Sequence, residues 1–131
     1  MGVVLVMREP DEAVVVDDHY RYQWARAGQF AKLSGLPFDY LYTGGGHDAI
    51  YGETDTHRIG ITNECGYLPD VYECHTVGVY SVADDELLGE IFSKDRAELL
   101  ATISRLNIGS LNDLVDHVLE RGRFATDEMG A

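Results

Sequence analysis

The chain has 131 residues, 23 acidic against 10 basic side chains, and a formal net charge of −13. A hydrophobic content of 45% with 10% aromatics excludes a disordered chain and fits one domain spanning 1–131. The charge argues against nucleic acid as a partner. A phosphate-binding face needs clustered cations, and Arg8, Arg21, Arg26, Arg58, Arg96, Arg105, Arg121 and Arg123 are scattered.

The same charge speaks to environment. Lysine is confined to Lys32 and Lys94, and the uncompensated acids repel one another in dilute buffer. At molar salt the screening length falls to about 3 Å, so this composition fits a protein adapted to high salt, from a halophile or a virus that infects one. A GC-rich genome accounts for few lysines but not for the acid excess. The longest apolar runs, Val3 to Met7 and Ala13 to Val16, are too short for a membrane span. No basic segment precedes a long apolar one, so no export signal is recognisable. The expectation is a cytoplasmic or virion location, with Cys65 and Cys74 as reduced thiols.

Residues 3–16 read as a hairpin, two β-rich runs around the Pro10-Asp11 turn. Tyr20, Trp24, Ala27 and Ala31 recur at helical spacing, with Gly35 as a terminator, and predict a helix over about 19–34. Tyr20, Tyr22 and Trp24 also alternate as a strand would. From Pro37 to Ser93 the pattern turns to β. Strands are expected at Phe38 to Tyr42, Ala49 to Gly52, Arg58 to Thr62, Val71 to Val82 and Leu87 to Phe92, joined by short turns as an antiparallel meander. Ser93 is expected to cap a helix running to about Leu106. Asn107-Ile108-Gly109 breaks it, and Ser110 with Asp113 opens a second helix. Leu111, Leu114, Val115, Val118 and Leu119 give that helix one apolar face. The fold class expected is α+β: an antiparallel β-meander sheet with a C-terminal antiparallel helix pair and one earlier helix.

Candidate sites are sparse. His47, His57, Cys65, Cys74 and His75 are zinc-type ligands, but no C-x₂₋₄-C spacing exists and the adjacent Cys74 and His75 would face opposite sides of a strand. No metal or other cofactor is expected. Gly44, Gly45, Gly46 and His47 could let backbone N–H groups approach a ligand. No lysine follows and no helix starts there, so this is not a phosphate loop, and a plain hairpin turn explains it as well. A cysteine nucleophile needs an aimed base, which adjacency in sequence does not supply. The eight tyrosines, Tyr20, Tyr22, Tyr40, Tyr42, Tyr51, Tyr67, Tyr72 and Tyr80, suit an interface or half-buried strands equally well. Asp84, Asp85 and Glu86 lack the alternation of a calcium loop and read as a solvated tip.

The leading functional expectation is therefore a non-enzymatic interaction or structural subunit, a homo-oligomer or a protein bound to a protein partner. Val3, Leu5, Tyr20 and Trp24 are the candidate interface. The alternatives are a small-ligand-binding or sequestering protein using the Gly44–Gly46 loop, and a small metal-dependent hydrolase.

Overall fold

The structure, a computed structural model, describes residues 6–7, 18–44 and 47–121. In chain order the elements are β1 (Val6–Met7), α1 (Asp18–Ser34), β2 (Asp39–Gly44), β3 (His47–Glu53), β4 (His57–Thr62), β5 (His75–Ser81), β6 (Leu87–Ser93), α2 (Arg96–Arg105) and α3 (Leu111–Arg121). Every strand pairs antiparallel with its neighbour in sequence, giving one sheet in the order β1-β2-β3-β4-β5-β6. The expected α+β meander with one early helix and two C-terminal ones is the observed fold. Of the expected 3–16 hairpin only Val6–Met7 is described, paired with Leu41 and Tyr40; Ala13 to Val16 lies outside the described residues.

Local chemistry sets the element ends. Helix α1 buries Trp24, Ala27 and Phe30, three residues apart, which decides its period in favour of a helix. It stops at Gly35, whose φ of +74° a side chain would resist and whose N–H donates to the Ala31 carbonyl at 2.9 Å. Strand β2 runs on to Gly44 and β3 starts at His47, each two residues beyond expectation, and two further boundaries differ. Strand β5 begins at His75 rather than Val71, because 70–73 close a turn. The Glu73 N–H donates to the Asp70 carbonyl at 3.0 Å, and the Glu73 carboxylate accepts from the Asp70 N–H at 2.8 Å. Ser93 does not cap α2. It is the buried last residue of β6, paired with His75, so its backbone belongs to the ladder. Asp95 caps instead, accepting from the Glu98 N–H at 2.9 Å, while Glu98 accepts from the Lys94 N–H at 2.6 Å. At α3 the Ser110 hydroxyl accepts from the Asp113 N–H at 3.1 Å as the sequence suggested.

The helices supply one side of the core. Ile59, Ile61, Val77 and Val79 alternate along β4 and β5, are fully buried, and share one cluster with Leu99 and Ile103 of α2 and Leu114 and Val118 of α3. Gly52 shows how closely this side is filled. A Cβ there would sit 3.0 Å from a Leu111 methyl and 3.1 Å from the Phe38 ring. Gly52→Ala is expected to cost about 1–3 kcal/mol by overpacking. An unchanged denaturation midpoint would mean that α3 simply moves aside.

Candidate functional site

The alternation that sends Ile59, Ile61, Val77 and Val79 under the helices sends Arg58, Gly60, Thr62, Thr76, Gly78 and Tyr80 to the other face. No helix among the described residues covers that face. Such a face normally carries polar side chains. Here its centre is uncharged. Gly60 and Gly78 lie directly opposite each other, flanked by Tyr51 across from Gly60, and Phe92 opposes Thr76. The face holds a concave groove of about 610 Å³, lined by Ala49, Tyr51, Tyr80 and Phe92 and also by the charged Arg58, Asp85 and Glu90. Phe92 is 63% exposed. The Tyr80 ring leans over the glycine strip: a Cβ on Gly78 would meet it at 3.2 Å. Burial, then Glu90, raises the Tyr80 hydroxyl pKa, and burial with a 2.7 Å hydrogen bond to Glu53 pushes Tyr51 to about 12. Both phenols therefore stay neutral donors at ordinary pH. Charge gathers at the margin, where Arg58 is ion-paired with Asp85 beside Glu53, and Glu90 stands opposite Gly78.

A second cavity, about 530 Å³, lies between α1 and the β4–β5 connection. A buried carboxylate fixes its wall. Asp48 accepts from Tyr40 Oη at 2.8 Å, from Gln23 Nε2 at 3.1 Å and from the Leu68 N–H at 2.7 Å. Gln23 accepts in turn from Arg26 at 2.7 Å, and Arg26 holds the Pro69 carbonyl and the Asp70 carboxylate. One network thus ties α1, β2 and β3 to an irregular connection that has no ladder of its own. His75 is 1% exposed and also lines this cavity. Burial, the largest influence, lowers its pKa and favours the neutral ring.

No family model, curated protein or solved structure matches the chain.

Of the residues singled out from sequence, Gly44 ends β2 and pairs with His47, the first residue of β3, while Gly45 and Gly46 lie outside the described residues. His47 stacks on Tyr67 at 4.9 Å, with the rings 2° apart, and donates from Nδ1 to the Gly66 carbonyl at 3.2 Å. Trp24 is part of the core, with its neighbour Tyr22 63% exposed; Val3, Leu5 and the Tyr20 side chain are outside the described parts. Among the described residues no three His, Cys, Asp or Glu side chains gather as a metal site. Cys65 is exposed and Cys74 half-buried. No described helix is long and apolar enough to cross a membrane. Sequence reasoning missed both Asp48 and the bare face. Tyr51, Gly60, Gly78, Tyr80 and Phe92 carried a period-2 signal, but its meaning depends on which face the helices take.

Proposed function

We propose that this protein is a non-enzymatic interaction subunit, adapted to high salt, that assembles with a second copy of itself through the bare face of its sheet. The observation that carries the reading is the middle of that face, where Tyr51, Gly60, Gly78 and Tyr80 carry no charge, with Phe92 standing 63% exposed on edge strand β6. The face has the makings of self-complementarity. Phe92 protrudes on β6, while Ala49 and Gly60 leave a recess on β3 and β4. A twofold axis would place each copy's phenylalanine over the other's recess. Charge sets the condition. Two copies at −13 each repel in dilute buffer, and the acidic margins meet like with like. Molar salt removes most of that cost and strengthens apolar burial.

Sedimentation equilibrium across a KCl series tests this. The expected result is a monomer near about 0.2 M and a dimer near about 3 M, as screening takes hold. Phe92→Asp should weaken association by about tenfold or more, equivalent to about 1.4 kcal/mol, with unchanged helix and sheet content. A wild type that stays monomeric at the high end overturns the reading.

A further inference from the structure

The cavity between α1 and the β4–β5 connection holds a polar atom that the fold leaves unpaired. His75 Nδ1 donates to the Glu73 carbonyl at 2.9 Å. In a neutral ring this puts the proton on Nδ1 and makes Nε2 an acceptor. Nε2 has no hydrogen-bond partner among the described residues. Yet no fully buried side-chain nitrogen or oxygen there goes unpaired, so Nε2 must reach accessible space. His75 is 1% exposed and lines this cavity, and it is there that we place the opening. Arg96 lines it too. Its Nη1 donates to Gln29 Oε1 at 3.0 Å, and its other guanidinium N–H groups are uncommitted among the described residues. One acceptor-bearing residue and one set of donors therefore line a single cavity. Its back wall is Phe30, Ile50 and Leu68, and its mouth carries two exposed aromatic rings, Tyr22 and Tyr72.

We propose that this cavity binds a small planar molecule with a cis-amide edge, an N–H beside a C=O pointing the same way, as in uracil, hypoxanthine or nicotinamide. The ligand N–H donates to His75 Nε2 and its carbonyl accepts from Arg96. The aromatic mouth suits a flat ring. A trans peptide directs N–H and C=O oppositely and cannot satisfy both groups at once. A simple carboxylate brings no donor for Nε2, and it meets Asp70 at the wall. The site is independent of the bare sheet face, so it stands whether or not the protein dimerises.

The test is nitrogen NMR of the His75 ring in the intact protein, titrated with uracil, hypoxanthine and nicotinamide. As controls, 1,3-dimethyluracil keeps the ring and carbonyls but has no N–H, and benzoate brings only the anion. The free protein should show Nδ1 protonated and Nε2 bare. At least one cis-amide probe should shift Nε2 saturably at millimolar concentration, and the controls should not. Arg96→Gln, at a partly exposed position, should weaken that binding about tenfold or more, the cost of one lost charged hydrogen bond. A short oligouridylate should not compete, since the acidic surface repels its phosphates; competition would overturn assignment to a free small molecule. A proton on Nε2 in the free protein, equal binding of 1,3-dimethyluracil, silence from all three probes, or Arg96→Gln binding like the wild type would each overturn the proposal.

Discussion

Asp48→Ala is expected to cost about 3–5 kcal/mol, because it removes the acceptor of three buried hydrogen bonds at once. The side chain is only 4% exposed and accepts three hydrogen bonds from three different elements. Truncation removes an acceptor from the Tyr40 hydroxyl, the Gln23 amide and the Leu68 N–H together, and a buried donor left unpaired costs about 1–3 kcal/mol. A domain of this size has only about 5–15 kcal/mol in total, so the variant should sit at the edge of folding. Asp48→Asn should be milder, at about 1–2 kcal/mol. The Tyr40 hydroxyl can rotate to accept from the new amide. Gln23 cannot flip to match without giving up Arg26. Urea unfolding of the two variants measures both losses. A cost below about 1 kcal/mol for the alanine variant would mean that water replaces the carboxylate and that the network is not structural.

Leu114→Ala is the other large effect. Leu114 is 1% exposed at the middle of α3, in the same cluster as Val118 and the β5 valines. Removing its branched end should cost about 2–5 kcal/mol, the upper part of that range applying if the cavity does not collapse. Asp116→Ala, on the exposed side of the same helix, should stay within about 0.5 kcal/mol. Equal effects at both positions, read by chemical denaturation, would mean that α3 is not docked on the sheet.

Much of the fold was legible because period and punctuation agreed. Leu111, Leu114, Val115, Val118 and Leu119 repeat at helical spacing, and the first four are buried while Leu119, at the edge of the face, is 41% exposed. The turns at Thr54-Asp55-Thr56 and Asp84-Asp85-Glu86 fall where polar residues interrupt β-rich runs, and Asp85 takes the left-handed φ of 61° that such a tip requires. The errors came from local rules that tertiary pairing overrode. Ser93 is a good cap by residue type, but pairing with His75 holds it in the ladder and passes the role to Asp95. Val71 and Tyr72 are good strand formers, yet the Asp70–Glu73 turn excludes them from β5 and leaves Tyr72 89% exposed. The sites were less legible still. In the sequence Asp48 simply follows the glycine run and His47. Its importance comes from Gln23, 25 residues earlier, and Leu68, 20 residues later, and no spacing rule connects the three. His75 stood out only as a potential zinc ligand, whereas its place under α1 makes it a lone acceptor in a cavity.

The order of elements has a consequence for synthesis. Residues emerge from the ribosome as β1, then α1, then the rest of the sheet, then α2 and α3, so the whole meander can form while half its cover is still missing. Each hairpin closes locally, which makes early pairing fast. The inner side over β5 and β6, with Val77 and Val79, then stays wet until residues 96–121 arrive. A nascent sheet with apolar surface open on both sides is prone to sticking to its neighbours. Dense negative charge on every copy keeps nascent chains apart during that interval. The same repulsion that acts between finished copies thus acts between unfinished ones.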